Sequence, residues 1–129
     1  MKKYIVYTKE NGKIETDNWD DVGGLTLHRE NGPAIQGFYY SGKLANEAYY
    51  LNSKRHRLDG TAYQEFYPGG QLDYEEYYIN GKRHRIDGPA YQRFYDTGQL
   101  YYESYYINGR FYIKSDYAVY MFNKKMQLL

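Results

Sequence analysis

The chain has 129 residues, no cysteine and a formal net charge of +1. That length suits one domain with a modest core. The lack of cysteine excludes a disulfide framework and a thiolate metal site, and the near-neutral charge removes the bulk electrostatic case for nucleic-acid binding.

The N-terminal segment from Met1 to Glu10 lacks the long apolar region of a signal peptide. No apolar run approaches the ~20 residues that a membrane helix needs, so a cytoplasmic protein is expected. The segment Asn11-Gly12-Lys13-Ile14-Glu15 resembles Ser41-Gly42-Lys43-Leu44 but lies two residues out of phase, and Asp20-Asp21-Val22-Gly23-Gly24 absorbs the offset. Trp19, the single tryptophan, is expected to pack this N-terminal cap. A partner anchor is its alternative role, since tryptophan is enriched at interface hot spots.

From residue 26 onward a block of 28 residues is written three times. Residues 54–81 and 82–109 match at 21 of 28 positions, and residues 26–53 match 54–81 at 13. His28-Arg29, His56-Arg57 and His84-Arg85 recur at the same place in each copy. The tail keeps only Ala118, Phe122, Gln127 and Leu128 in phase. A short fixed period selects an architecture in which each unit buries its apolar side against its neighbours, and degenerate ends act as caps. The expected organisation is one repeat domain over 1–129, with an N-terminal cap at 1–25, units at 26–53, 54–81 and 82–109, and a C-terminal cap at 110–129.

Two turn signals divide each unit. Pro68-Gly69-Gly70-Gln71 is one, with Asp96-Thr97-Gly98-Gln99 as its copy, and Asn80-Gly81-Lys82 is the other; Asn-Gly is a strong hairpin dipeptide. Ala62-Tyr63-Gln64-Glu65-Phe66-Tyr67 and Leu72 to Ile79 lie between them as proline-free, aromatic-rich strands. The chain reads as an all-β antiparallel meander of stacked hairpins with about seven or eight strands. The 20 tyrosines, against 5 Phe and 1 Trp, fit strands with two partly wet faces, because the ring is apolar and the hydroxyl can stay in water. Ala62 and Phe66 share one face, as do Ala34/Phe38, Ala90/Phe94 and Ala118/Phe122, and this face is expected to be the core. Leu72, Tyr74 and Tyr78 oppose Glu75, Tyr77 and Ile79. No stretch shows clean 3.6-residue periodicity, so no helix is expected. Asn31-Gly32-Pro33 and Asp87-Gly88-Pro89 read as tight turns in which glycine takes positive φ.

The run Phe66-Tyr67-Pro68-Gly69-Gly70-Gln71-Leu72, then Glu75, then Tyr77-Tyr78-Ile79-Asn80-Gly81-Lys82, resembles the MORN-type repeat and its bacterial antitoxin-like variant. The resemblance spans about residues 28–110. His84-Arg85-Ile86-Asp87-Gly88-Pro89-Ala90 is similar to a signature common among bacterial, phage and giant-virus repeat proteins, although this unit is longer than the standard one. The resemblance implies stacked hairpins in an elongated, twisted, open sheet. It also implies binding or scaffolding without shared catalytic machinery. The membrane-lipid binding proposed for MORN proteins is not carried over, because a polybasic run and an exposed apolar helix are both lacking.

The strongest candidate for chemistry is the connector Lys54-Arg55-His56-Arg57-Leu58-Asp59-Gly60, copied as Lys82-Arg83-His84-Arg85-Ile86-Asp87-Gly88 and partly as His28-Arg29. In a meander these connectors share one edge, so Arg29, Arg55, His56, Arg57, Arg83, His84 and Arg85 would form a cationic stripe. Arginine suits bidentate recognition of phosphate or carboxylate, and Tyr63, Tyr67, Tyr91 and Tyr95 beside it would stack a base. The plainer alternative is structural: Arg57 pairs with Asp59 or Glu75, and His56 caps a turn. Repeat-related histidines two strands apart stand about 9.5 Å from one another, too far to share a metal ion, and no cofactor is expected. Glu47, Glu75 and Glu103 are periodic and alternate with tyrosines, which fits side-chain pairing better than acid–base catalysis.

Two functions follow from these residues. One is non-catalytic sequestration of an anionic, nucleotide-like small molecule, which the phage resemblance would place in counter-defence. The other is a protein–protein module of antitoxin-like or inhibitory kind, through a flat tyrosine-rich face or a free sheet edge. A homo-oligomer is a further option, because it would close an exposed edge.

Overall fold

The computed structural model describes residues 3–128; Met1, Lys2 and Leu129 of the two expected caps lie outside them. The chain is an all-β hairpin meander ending in one helix. The strands are β1 (Lys3–Thr8), β2 (Gly12–Thr16), β3 (Ile35–Phe38), β4 (Leu44–Ala48), β5 (Tyr50–Leu51), β6 (Lys54–Arg55), β7 (Tyr63–Phe66), β8 (Leu72–Glu76), β9 (Tyr78–Ile79), β10 (Lys82–Arg83), β11 (Tyr91–Phe94), β12 (Leu100–Ile107) and β13 (Arg110–Tyr112). Helix α1 (Lys114–Gln127) closes the chain, and a short 3-10 turn covers Trp19–Val22. No helix among the described residues is long and apolar enough to cross a membrane.

Nine strands form one antiparallel sheet in the order β13-β12-β11-β8-β7-β4-β3-β1-β2. The expected long second strand of each unit is interrupted at Tyr49 and Tyr77. Beyond that point β5–β6 and β9–β10 form separate two-stranded hairpins, so a central unit holds four strands rather than two. The break arises because Tyr77 N–H is used across the sheet, donating to the Ala90 carbonyl, while the chain beyond it folds back through Asn80-Gly81. Asn80 sits at φ 50° and Gly81 at φ 79°, the paired left-handed conformation of the tight hairpin turn. The small hairpins stack through backbone bonds repeated in each unit: Arg29 N–H to the Tyr50 carbonyl, Arg57 N–H to Tyr78 and Arg85 N–H to Tyr106, each 3.1 Å. The last unit keeps β12 continuous.

Register places whole rows of side chains on each face. Ile14, Val6, Ile35, Ala48, Tyr63, Glu76, Tyr91 and Ser104 are successive cross-strand partners. Glu15, Ile5, Gln36, Glu47, Gln64, Glu75, Gln92 and Glu103 are the neighbouring row on the opposite face. The first row begins as core: Val6, Val22, Ile35 and Ala48 form an apolar cluster with Tyr4, Leu27, Tyr50 and Tyr63 packed on it. This corrects the expectation that the Ala/Phe face is the core. Ala34, Ala62 and Ala90 are fully buried, but Phe38, Phe66 and Phe94 are only half-buried. Alternation alone cannot rank two faces that both carry rings.

A second correction concerns the tail. Ala118 and Phe122 lie on α1, not on a strand. No glycine or proline interrupts Lys114–Gln127, Asp116 stands in the first turn and Lys124 and Lys125 in the last, all of which favour a helix. Tyr117 packs with Tyr105 and Ile107 in a second small core, flanked by Tyr112, Tyr120 and Met121. The outer side of α1 leaves Val119, Phe122 and Met126 exposed, so the chain does carry an exposed apolar helix face. At the other end Trp19 meets Tyr4 edge-on at 5.1 Å, consistent with a packing role in the cap.

Candidate functional site

The connectors form three kinds of rung, and each kind uses the candidate residues differently. In the first, histidine joins the start of a unit to the turn at its end. His28 Nδ1 accepts from Asn52 N–H, His56 Nδ1 from Asn80 N–H and His84 Nδ1 from Asn108 N–H, each at 3.0 Å. The histidines therefore hold the turn at the far end of their own unit, Asn52-Ser53, Asn80-Gly81 or Asn108-Gly109, the turn-capping role of the structural alternative.

In the second kind of rung, arginine folds back over a tyrosine. Arg57 lies 4.0 Å above the Tyr49 ring, with Nε donating to Asp59 (3.2 Å) and Nη1 to the Thr61 carbonyl (3.2 Å). Arg85 repeats this over Tyr77 at 4.0 Å, with Asp87 and the Pro89 carbonyl each at 3.1 Å. Arg29 lies 3.9 Å over Tyr7 and donates to the Pro33 carbonyl at 3.2 Å. The recurring glycine serves this approach. Of the two glycines expected at positive φ, Gly32 takes it (φ 158°) and Gly88 does not, but a Cβ on Gly88 would stand 2.9 Å from Arg85 Cζ. Asp59 and Asp87 are largely in water, so their ion pairs add little stability. Between successive rungs lie two equivalent pockets. One, of ≈ 610 Å³, is bounded by Arg29, Tyr49 and Arg57, and the other, of ≈ 710 Å³, by Arg57, Tyr77, His84 and Arg85.

The third arrangement occurs once. Glu76, at 4% exposure, sits between Arg55 and Arg83 on the tyrosine-rich face. Arg83 Nε donates to Glu76 Oε2 at 2.8 Å, Arg55 Nη1 approaches Oε1 at 3.4 Å, and Tyr78 OH donates to Oε2 at 2.9 Å. Arg55 also donates to Tyr50 OH (3.0 Å) and Arg83 to Tyr106 OH (3.2 Å). The guanidinium groups lie 4.3 Å over Tyr63 and 4.8 Å over Tyr91. Burial opposes the Arg83 cation, yet the Glu76 carboxylate outweighs it and holds Arg83 above the ordinary guanidinium value. Burial likewise pushes the Tyr63 hydroxyl up to about 12.

Beside this centre the rings of Tyr63, Tyr74, Tyr91 and Tyr102 follow one another across the sheet at centroid spacings of 5.5, 5.8 and 5.7 Å. Arg93 lies 5.4 Å over Tyr74. The first three rings are half-buried, and Tyr102 is half in water.

The candidate residues thus fall into three places. Arg55, Arg83, Tyr63 and Tyr91 converge around Glu76. Arg29, His56, Arg57, His84 and Arg85 belong to the connector rungs. Tyr67 and Tyr95 lie at the turn end of their strands: Tyr67 OH donates to the Phe94 carbonyl at 2.7 Å, and Tyr95 stacks on Tyr101 at 4.6 Å. Sequence reasoning missed Glu76, Tyr74 and Tyr102. Glu76 had a usable signal, since Ala48 and Ser104 occupy its place in the neighbouring units, and a charge inserted into an otherwise regular ladder marks a departure from the shared plan.

The fold and these rungs define a tandem β-hairpin repeat protein with a tyrosine- and arginine-lined face. No family model, no curated protein and no solved structure matches this chain.

Proposed function

We propose that this chain is a non-catalytic, MORN-like binding module whose tyrosine face docks a protein partner. The tyrosine ladder from Tyr63 to Tyr102, with Arg55, Arg83 and Arg93 held among its rings, supports this reading. Tyrosine and arginine are the residue types enriched at protein interfaces. Rings and guanidinium groups already fixed against one another lose little conformational freedom on binding. The test is affinity capture with the wild-type protein and with Tyr91→Ser and Tyr102→Ser variants. A protein retained by the wild type, lost with both variants and then bound as a purified pair bears the reading out. A partner that binds all three equally overturns it.

The second reading, sequestration of an anionic nucleotide-like molecule, is favoured by the two equivalent pockets that share Arg57. Each of their arginines already has an internal acceptor, and Asp59 and Asp87 offset the cationic charge, which is why this reading comes second. Ile86→Glu would place a carboxylate in the larger pocket without touching a rung. A nucleotide-dependent thermal shift present in the wild type and abolished in Ile86→Glu supports sequestration; no shift with any nucleotide removes it.

A further inference from the structure

The sheet ends unevenly at its C-terminal side. Strand β13 pairs only with Tyr105–Ile107 of β12, while β11 pairs with Leu100–Ser104 from the inner side. The outer edge of Leu100–Ser104 has no partner strand among the described residues. The corresponding edges inside the chain are filled: β4 receives β7 and β8 receives β11. At the equivalent point after β12 the chain turns into α1 instead.

Two observations indicate what this edge accommodates. The first is a hydroxyl without a partner. Tyr39 OH donates to the Phe66 carbonyl at 2.5 Å and Tyr67 OH to the Phe94 carbonyl at 2.7 Å, each reaching the strand of the next unit. Tyr95 is the third member of this series, and its hydroxyl makes no hydrogen bond among the described residues. The second is composition. Leu100, Tyr101 and Tyr102 are exposed, and the segment carries none of the lysines or prolines that usually blunt an edge.

We propose that the outer edge of Leu100–Ser104 is a strand-addition site for an extended segment of another polypeptide, with an aromatic-Gln-x-aromatic pattern. On β8, Tyr91 stands opposite Glu76, Gln92 opposite Glu75 and Arg93 opposite Tyr74. The same register on β12 puts the first aromatic opposite Ser104, the glutamine opposite Glu103 and the third residue opposite Tyr102. The carbonyl of the last aromatic then meets Tyr95 OH. A glutamine suits Glu103 because Gln36 Nε2 already donates to Glu47 across β3 and β4 at 3.0 Å. A second copy of the chain fits poorly. Its Ile35–Phe38, Tyr63–Phe66 and Tyr91–Phe94 strands, the ones that carry this pattern, are paired on both sides, and its two free edges, β2 and its own Leu100–Ser104, offer no aromatic-Gln-x-aromatic run. The site lies on the sheet edge and shares Tyr102 with the tyrosine face, but its contacts are the backbone of Leu100–Ser104 and the Tyr95 hydroxyl, which the Tyr91→Ser variant does not touch.

The test uses the whole protein and a synthetic peptide with the sequence of residues 88–96, Gly-Pro-Ala-Tyr-Gln-Arg-Phe-Tyr-Asp, followed by amide NMR and titration calorimetry. The expected result is one peptide per chain, with shifts concentrated on Leu100–Ser104. Glu103→Pro removes the edge N–H that pairs with the incoming glutamine and should weaken binding about tenfold or more. Tyr95→Phe removes one hydroxyl bond and should weaken it about fivefold. A peptide with Glu in place of Gln should bind far less tightly than the original. Circular dichroism checks that each variant is folded; if Glu103→Pro is not, Tyr95→Phe and the altered peptide decide. Absence of shifts at this edge, equal binding of both peptides, or Leu100–Ser104 amides already protected from exchange in the free protein would each overturn the proposal. So would a peptide that acts only by dissociating a homo-oligomer, because the occupant would then be a second copy.

Discussion

Tyr117 stacks on Tyr105 at 4.6 Å between ring centroids, in the place that Arg57 takes over Tyr49 and Arg85 takes over Tyr77. The exchange is chemical as well as spatial. Tyr117 OH donates to the Arg85 carbonyl at 2.9 Å and accepts from Gly88 N–H at 3.0 Å, so a helix side chain satisfies the last connector. The repeat ends where a tyrosine on α1 substitutes for the arginine that a further unit would have supplied.

Replacing that ring tests the cap. Tyr117→Ala should destabilise the protein by about 3 kcal/mol, because a largely buried aromatic is lost. Tyr117→Phe, which removes only the two hydrogen bonds, should cost about 1–2 kcal/mol. Urea unfolding midpoints at constant slope measure both.

Glu76 and Glu75 are adjacent in the chain but differ in consequence. Glu76→Ala leaves Arg55 and Arg83 without the carboxylate between them and should cost about 3 kcal/mol. Glu75→Ala, on the opposite half-exposed row, should stay within about 0.5 kcal/mol. Equal effects in chemical denaturation would contradict the central role of Glu76.

The tyrosines predict an alkaline limit to stability. Burial raises the Tyr63 hydroxyl to about 12 and Tyr74 also lies above the ordinary phenol value for the same first cause. A folded-state value above the unfolded one means the contribution is complete below about pH 10 and is lost as pH rises through the folded value. Absorbance titration at the phenolate band should show late-ionising groups, and Tyr63→Phe should reduce their amplitude while leaving the Tyr74 contribution.

His56→Ala removes the acceptor for Asn80 N–H and should cost about 1 kcal/mol. Hydrogen exchange gives the more specific readout. The Asn80 amide should exchange faster in this variant, whereas the Asn52 and Asn108 amides, held by His28 and His84, should not change.

Much of the connector chemistry was legible before the structure. A structural role, with Arg57 paired to Asp59 or Glu75 and His56 capping a turn, was the plainer alternative to a binding stripe, since a residue needed once per unit is usually needed to build the unit; the partner found is Asp59. The position of the site was less legible. Arg55 and Arg57 are two residues apart, yet one joins Glu76 on the tyrosine face and the other folds over Tyr49. Within one strand, residues two apart would share a face. The split arises because β6 ends at Arg55 and Arg57 lies beyond it, its N–H bonded to the Tyr78 carbonyl, and the unbroken second strand expected for each unit had concealed this.

The period, the hairpin turns and the antiparallel meander were set by the sequence alone, because identical blocks with Asn-Gly turns and aromatic strands leave few other ways to satisfy the backbone. Three things required the tertiary structure: which face is core, that the tail is a helix, and that Glu76 unites arginines from two units. Each depends on contacts between residues far apart in the chain, where cross-strand register and burial outweigh local pattern.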